Sequence, residues 1–557
     1  MKTLLSRVKT AWNGETGKNP IFWGVLLFAM LLKYGYYGLT YFPTVDDHNM
    51  YGIYSLIPPL DALLRYEMYT TRPLAVLLDI FVISKFWGNL WIILLAFTLL
   101  HFISSILIYK VFEKNNVKTG AILAVIFTLI PLGNDATYWI AASSRIVTGL
   151  FFAVLSFFLY MRYIEKSNRQ EPRLYLYIAG FTITNMISLG FYEQVIAFSF
   201  IGILLLMMVN LKRQRNKWIC VVPFFNAAII GSYYMKFSST GNMASRGQLL
   251  SSEYTRHTIN VFKKIRELMT VAPGSQIKHG IINGTELLLA DRAVLYTLLA
   301  IIVSAALGIF YAREKAADSW RTTAVKFILG LFMIVLPFAP FFVLQTLWIV
   351  FRNAFISIIG IGLVAESLAG ALFSRWNLKV FRGIAAGVAV FVFILGNAAE
   401  VNDYRSISSI DHEIAMNLSE ALENAKGQDW SDYEVLVFNT KPIYITPTSK
   451  HFSNCTAVDW ALTGAMRSIL RHPEKLNMLT PVAAGQKALI NRDQLDQSIL
   501  VGMDSERNAF PLQGRWTSDF ELEIRLRNEE LFGTVSVLGD DAVIFELSRG
   551  AGESSGG

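Results

Sequence analysis

The chain has 557 residues, of which 53% are hydrophobic and 17% are charged, and its mean hydropathy is +0.42. Soluble domains carry about 25% charged residues, so this composition excludes a soluble protein and predicts a membrane protein. The formal net charge of +8 does not indicate nucleic-acid binding, because the basic residues lie in short loops between apolar segments, as the positive-inside rule requires.

Apolar segments recur from the N-terminus to residue 397, and a bilayer core of about 30 Å needs about 20 helical residues. Length and flanking charge predict an α-helical multi-span protein with about eleven spans and a cytoplasmic N-terminus. The basic segment Met1–Lys9 has no cleavage site and predicts an uncleaved anchor. The predicted spans are Pro20–Thr40, Trp87–Tyr109, Ala121–Leu132, Trp139–Tyr160, Leu174–Leu189, Val195–Leu211, Trp218–Tyr234, Ala293–Tyr311, Phe327–Trp348, Ala354–Phe373 and Ile384–Asn397.

The first outer segment, residues 41–86, contains two adjacent carboxylates, Asp46 and Asp47, directly after the first span. Aspartate is favoured at helix N-caps, so the pair could open the next helix. One cap needs only one aspartate, however, and His48 and Asn49 add polar groups beside the pair. Acidic groups near a membrane are usually functional, which favours a catalytic or ligand-binding role.

Arg72 begins the second part of this segment, Pro73–Phe86, which is apolar but too short to cross a membrane and is interrupted by Asp79 and Lys85. The pattern predicts a helix that lies in the membrane interface. Arg72 could reach towards lipid headgroups or bind a phosphate through its planar guanidinium.

The next polar outer turn contains Tyr138 and Trp139, which suit an interfacial aromatic belt, followed by Arg145. Arg145 lies inside the returning helix, where a lone charge needs a partner, and Asp135, Asp46 or a bound anion could supply it.

Two further charged residues lie at predicted outer helix ends. Glu193 follows the fifth span, and Arg352 is the only charged residue between Lys326 and Glu366. Arg72, Arg145 and Arg352 are three cations at separate predicted outer helix ends. Together with the acidic residues Asp46, Asp47 and Glu193, they predict a site for an anionic, lipid-bound substrate.

A long polar outer loop, residues 235–291, contains a predicted helix from Glu253 to Met269. The composition changes again at Ala398, and residues 398–557 have the size of a single domain. Helical patterns alternate there with strand-like runs, which predicts an extracytoplasmic α/β domain with a flexible tail, Gly550–Gly557. The predicted helices are Ile410–Ala425 and Val458–Arg471, and the predicted strands are Glu434–Phe438, Glu521–Arg525, Gly533–Val537 and Ala542–Glu546.

The order of these features resembles the GT-C superfamily of integral-membrane glycosyltransferases, which use polyprenyl-phosphate-linked sugars as donors. The resemblance covers Pro20 to about Asn397. The arrangement of the features is similar to that in protein O-mannosyltransferases and related bacterial enzymes. It depends on the Asp46-Asp47 pair, the helix opened by Arg72-Pro73-Leu74, the segment from Trp139 to Arg145, Glu193 and Arg352.

The resemblance implies an inverting hexosyltransferase that moves a sugar to an acceptor hydroxyl, such as one on a cell-envelope glycan, at the outer face of a bacterial membrane. Asp46, or else Asp47, would act as general base. Arg352 with Arg72 or Arg145 would stabilise the leaving polyprenyl phosphate. The substrate-binding residues would be His48, Arg72, Tyr138, Trp139, Arg145, Glu193 and Arg352. The acidic pair could also hold Mg²⁺ or Mn²⁺, since carboxylates are hard oxygen ligands.

Three alternatives remain open at this stage. A lipid-linked polysaccharide polymerase or ligase would use the long loop, which contains Arg246, Arg256, His257 and His279. A transporter or flippase of glycolipids would place charges near the middle of the bilayer and show repeated halves. A catalytically inactive scaffold could bind a cell-wall polymer through its outer domain.

Overall fold

The computed structural model describes most of the chain. The described residues are 19–65, 72–237, 250, 252–290, 293–314, 320–345, 347, 349–373, 379–426, 433–442, 454–471, 478–538 and 542–548. The basic N-terminal segment, the C-terminal tail, Arg246 and Trp348 lie outside these ranges.

Helices dominate the described residues up to 426. They are α1 Pro20–Leu32, α2 Pro59–Arg65, α3 Pro73–Phe81, α4 Leu90–Lys114, α5 Ala121–Leu129, α6 Asn134–Thr137, α7 Ile140–Asn168, α8 Leu174–Leu189, α9 Glu193–Asn210, α10 Val222–Phe237, α11 Tyr254–Arg266, α12 Ala272–Leu288, α13 Ala293–Arg313, α14 Trp320–Val335, α15 Ile358–Phe373 and α16 Lys379–Lys426.

Six described helices are long and apolar enough to cross a membrane: Ile83–Lys114, Ile140–Asn168, Glu193–Asn210, Ala293–Arg313, Trp320–Phe342 and Lys379–Ala425. Three more are apolar but shorter, namely Pro20–Leu32, Leu174–Leu189 and Ile358–Leu372. This agrees with a membrane protein, while the number of eleven spans stays a prediction.

Proline accounts for two of the places where a predicted span is not a continuous α-helix. The predicted span 121–132 forms only the nine residues of α5, because Ile130 is extended before Pro131 and a 3₁₀ turn follows. The α14 helix ends at Val335, and residues Leu336–Phe342 form a 3₁₀ helix that contains Pro337 and Pro340. The α-helix therefore ends where these two prolines follow, since proline lacks the amide that continues the helix.

Two predicted outer elements are helical in the structure. The segment predicted as an interfacial helix forms α3, and the 3₁₀ helix Ile83–Asn89 leads from there into α4. The helix predicted within the long loop is confirmed as α11, which continues through a π-helical turn, Glu267–Val271, into α12.

Contacts divide the chain into two units. The membrane unit comprises Met1–Tyr41, Arg65–Asp79 and Gly88–Val401. The C-terminal unit comprises Asn402–Gly557 together with two segments from the first outer loop, Phe42–Leu64 and Ile80–Trp87. The acidic pair therefore belongs to the same unit as the α/β domain, which its position in the sequence does not indicate.

Glycines allow close helix packing in the membrane unit. A Cβ atom on Gly360 of α15 would lie 2.4 Å from the carbonyl oxygen of Gly330 on α14. Apolar surface drives little association between helices in lipid, so small residues that let backbones approach are a principal source of packing energy there.

The α/β domain has three layers. A sheet of order β2-β1-β4-β5 is parallel except at its edge strand β5, and an antiparallel sheet has the order β3-β9-β8-β7-β6. The strands are β1 Val435–Phe438, β2 Leu479–Val482, β3 Lys487–Ala488, β4 Ile499–Met503, β5 Ala509–Pro511, β6 Gln513–Ser518, β7 Glu521–Arg525, β8 Leu531–Val537 and β9 Val543–Leu547.

Alternating side chains of β1 build the two cores of this domain. Val435 and Val437 pack against the end of α16 and against helix α17, Asp459–Leu470. Leu436 and Phe438 pack against the antiparallel sheet. All four residues of β1 are buried, as expected for a central parallel strand covered on both faces. The predicted strands are confirmed as β1, β7, β8 and β9, and the sequence analysis missed the other five.

Candidate functional site

The acidic pair begins a short irregular helix in the C-terminal unit. The backbone amide of Thr44 donates a hydrogen bond of 3.1 Å to Oδ2 of Asp47, and the Asp47 side chain is fully buried. This is half of a capping box, in which the side chain of the third helical residue bonds the amide of the N-cap residue. Asp47 therefore has the capping role that the sequence analysis left open for one member of the pair.

Asp46 has a different environment from its neighbour. Its side chain is half-buried, and its carboxylate makes no hydrogen bond or ion pair with any residue that the structure describes. A carboxylate that is accessible and uncommitted can accept a proton from a substrate, whereas a buried one engaged in a cap cannot. Of the two carboxylates, Asp46 is therefore the one that is accessible to a ligand.

Backbone irregularities flank the pair on both sides. Val45 has φ +28°, a conformation that β-branched residues rarely adopt. Residues His48–Gly52 form a π-helical turn. Strained residues and π-turns both concentrate at functional sites, where the surrounding structure holds a side chain in a particular direction.

His48 is buried in the same unit and does not present its ring to solvent. Nδ1 lies 2.8 Å from Oγ of Ser468, and the ring meets that of Trp87 edge-on. Burial lowers the pKa of His48 to about 4, an effect that the Pro43 carbonyl partly offsets and His412 reinforces. His48 is therefore neutral at physiological pH.

The Asp46-Asp47 pair was also considered as a site for a divalent cation. Asp47 is committed to the Thr44 amide, and Mg²⁺ needs several converging oxygen ligands. Across the described ranges, no three His, Cys, Asp or Glu side chains converge in a way that could hold a metal ion.

A separate set of candidate residues lies in the membrane unit. Arg72 forms a bidentate ion pair with Glu193, with Nε 3.2 Å from Oε1 and Nη2 3.3 Å from Oε2. The guanidinium also lies over the ring of Tyr192, 4.5 Å from its centroid. The Arg72 side chain is 20% exposed, so the cation is fixed in direction yet remains accessible.

Arg352 is held in a similar way at a second position of this unit. Its guanidinium lies 5.2 Å from the centroid of the Trp139 ring. Its backbone amide donates to Oδ2 of the buried Asp135 at 3.2 Å, which fixes the 3₁₀ turn Phe351–Ala354. Nε1 of Trp139 is buried and has no hydrogen-bond partner among the described residues.

Two polar residues join these positions. Asn353 Nδ2 donates to the hydroxyl of Tyr192 at 3.2 Å, and Gln194 Nε2 donates to the Asn353 carbonyl at 3.1 Å. We call the connected set the arginine cluster; its members are Arg72, Asp135, Trp139, Tyr192, Glu193, Gln194, Arg352 and Asn353. It contains two guanidinium groups, each stacked on an aromatic ring, an arrangement suited to binding a phosphate.

Two other predicted residues have packing roles in the membrane unit. Tyr138 is fully buried, tilts against Tyr34 and Tyr41, and donates to the Thr40 carbonyl at 3.4 Å. Arg145 forms a buried ion pair with Asp79, with Nη2 and Oδ2 3.1 Å apart, and also donates to the Ala141 carbonyl. The ion-pair partner that the structure describes is therefore Asp79, which the sequence analysis did not suggest.

Of the residues proposed for the polymerase or ligase alternative, the structure describes Arg256, His257 and His279, and each has a partner nearby. His257 is buried, and its Nε2 lies 2.8 Å from the Phe341 carbonyl, while Arg256 is exposed and pairs with Glu253. His279 lies next to Asn283 on the same helix.

The sequence did not predict Tyr192 and Asn353 as members of this cluster, nor the different environments of Asp46 and Asp47. Tyr192 and Asn353 are direct neighbours of predicted residues, which was the available signal, but the contact between them joins positions 161 residues apart.

Comparison of the chain with protein-family models and with curated proteins gives no match.

Proposed function

We propose that this protein is an inverting glycosyltransferase that moves a sugar from a polyprenyl-phosphate carrier to an acceptor hydroxyl at the outer face of the membrane. The observation that carries the proposal is the arginine cluster, in which Arg72 stacks on Tyr192 and Arg352 on Trp139 within one hydrogen-bonded network.

A phosphate that leaves during glycosyl transfer gains negative charge, and fixed donors stabilise that charge best. The two guanidinium groups are already ordered by their aromatic rings, so little side-chain entropy would be lost on binding. The buried Nε1 of Trp139 is a further donor that a phosphate oxygen could engage. The predominance of apolar helices in this unit suits a polyprenyl chain.

Asp46 would act as the general base of the reaction. The acceptor hydroxyl oxygen attacks the anomeric carbon through an oxocarbenium-like transition state, and its proton passes to the Asp46 carboxylate. The bond between the anomeric carbon and the phosphate oxygen breaks, and its electron pair remains on the phosphate. A single displacement of this kind inverts the configuration at the anomeric carbon.

The proposal includes the predicted topology. Eleven spans with a cytoplasmic N-terminus would place the first outer segment and the α/β domain outside the cytoplasm, where a cell-envelope glycan is an accessible acceptor. The sequence pattern of basic short loops supports this orientation.

The test is glycosyl transfer from a panel of radiolabelled polyprenyl-phosphate sugars, measured in membranes with the wild type, Asp46→Asn, Asp47→Asn and the control Asp61→Asn. We expect one donor to be consumed by the wild type and by the control. Asp46→Asn should lower the rate about 10²- to 10⁴-fold, the usual contribution of a general base.

Asp47→Asn should instead lower the amount of folded protein, because it weakens a buried cap. Consumption of no donor by the wild type, or full activity of well-expressed Asp46→Asn, would contradict the proposal.

A further inference from the structure

Helix α17 of the α/β domain packs directly on the turn that carries Asp46. A Cβ atom on Gly52 would lie 2.3 Å from Cβ of Ser468, and a Cβ atom on Gly464 would lie 2.8 Å from the Cα atom of Asn49. Both distances are shorter than any normal contact of a Cβ atom, so each position needs a glycine as long as the two helices keep this separation.

A polar contact fixes the register of the same interface. Ser468 Oγ lies 2.8 Å from Nδ1 of His48, and Ser468, His48 and Gly52 are all buried. Trp87, from the second outer segment of this unit, packs on His48 and lies 3.3 Å from the Cβ position of Gly52. Two glycines and one hydrogen bond therefore hold the turn against α17. They define both the distance of the turn from this helix and its rotation relative to it.

The opposite side of α17 belongs to the core of the α/β domain. Leu462, Ala465 and Met466 are fully buried there against the central strand β1 and its neighbour β4. Because α17 lies between that core and the turn, its position relative to the sheet decides where the Asp46 carboxylate is presented.

We propose that the α/β domain is the positioning domain for Asp46, with Gly52, Gly464 and Ser468 as positioning residues. This inference deepens the proposed function and rests on it for its catalytic consequence. The α/β domain then has a role in the reaction itself, because it holds the general base Asp46, and is more than an appended binding module.

The first experiment measures the position of residue 46 without any enzyme activity. Asp46→Cys is introduced, and the rate of maleimide labelling at that position is measured in purified full-length protein. Labelling of the wild-type chain, which contains Cys220 and Cys455, is measured in parallel and subtracted. Gly52→Ala should change the labelling rate at least fivefold, because the added methyl group displaces the turn from α17.

Gly52→Ala combined with Ser468→Gly removes the atom that the added methyl group meets, but also the hydrogen bond to His48. It should therefore return the labelling rate at least half of the way to the starting value. Gly88→Ala is the matched control, since a Cβ atom there meets nothing within 4 Å. Recovery in the double variant shows that Gly52→Ala had displaced a folded turn and had not simply unfolded the protein.

The second experiment measures transfer kinetics of the same substitutions with Asp46 present. A displacement of about 1 Å can lower a rate roughly 100-fold, so Gly52→Ala should lower kcat by that order. The donor KM should stay within twofold, and the double variant should recover most of kcat.

Unchanged labelling in Gly52→Ala, or no recovery in the double variant, would overturn the positioning role. Changed and rescued labelling in a protein that consumes no donor would refute the proposed function and leave the structural coupling standing. A Gly52→Ala variant that raises KM while kcat is unchanged would also refute a role in presenting the base.

Discussion

Neutralising Asp79 should destabilise the membrane unit strongly, because it breaks the buried ion pair between Asp79 and the Arg145 guanidinium. The Asp79 side chain is fully buried and that of Arg145 is 8% exposed, with 3.1 Å between Nη2 and Oδ2. At an effective dielectric constant of about 20, two unit charges at this distance attract by about 5 kcal/mol. Removing one partner of a buried pair typically costs about 3–5 kcal/mol, which agrees with that figure.

The assay is thermal unfolding of the purified protein in detergent micelles, comparing the wild type with Asp79→Asn. The midpoint should fall by several degrees. Arg169→Gln is the control, because its ion pair with Glu165 involves a side chain that is 65% exposed and should contribute less than about 1 kcal/mol. The double variant Asp79→Leu with Arg145→Met removes both charges and should regain most of the loss, as buried pairs often tolerate apolar replacement.

The opposite result would support the predicted role of Arg145 as a substrate-binding residue. If Asp79→Asn unfolds at the wild-type midpoint but raises the KM of the donor, then the guanidinium is accessible to ligand and the structural role is refuted. A double variant that is as unstable as the single one would also contradict the reasoning, since the cost would then come from packing and not from an unpaired charge.

Three further results are expected. Burial lowers the pKa of His48 to about 4 in the folded protein, against about 6.5 in the unfolded chain. As the pH falls from 6.5 towards 4, only the unfolded chain gains this proton, so the free energy of unfolding decreases by about 1.4 kcal/mol per pH unit. The thermal midpoint should therefore fall less between pH 7 and 4.5 in His48→Gln than in the wild type. Arg352→Lys keeps the charge but loses the planar contact with the indole, so donor KM should rise roughly tenfold with no change in the midpoint. Glu193→Gln should leave the thermal midpoint nearly unchanged, because the Arg72–Glu193 ion pair is partly exposed. It should raise the donor KM severalfold, because Arg72 is no longer held in place. An unchanged donor KM in Arg352→Lys or in Glu193→Gln would argue against the arginine cluster as the phosphate site.

Local patterns in the sequence were sufficient for much of the fold. The end of α14 before Pro337 and the helix within the long loop follow from residue types that act on their own backbone. Strand β7 alternates apolar and polar residues and was recognised together with β8 and β9, whereas β4 is buried on both faces and β6 is mostly exposed. Neither of those two shows the two-residue period, and both were missed.

The sequence by itself determined that the chain is a membrane protein with a C-terminal α/β domain, and it supplied the charged residues that are candidates for the site. These conclusions depend on composition and on periodicity, which are properties of short stretches of chain. Only the tertiary structure decided the partners: Asp79 for Arg145, Tyr192 and Glu193 for Arg72, and Trp139 for Arg352.

The tertiary structure also decided the roles within the acidic pair, which the sequence presents as equivalent neighbours. Burial commits Asp47 to the Thr44 amide and leaves Asp46 half-exposed. The contact between Gly52 and Ser468 joins positions more than 400 residues apart, so it depends on how the chain closes on itself. Contacts at such separations arise from the folding of the whole unit, and no local pattern encodes them.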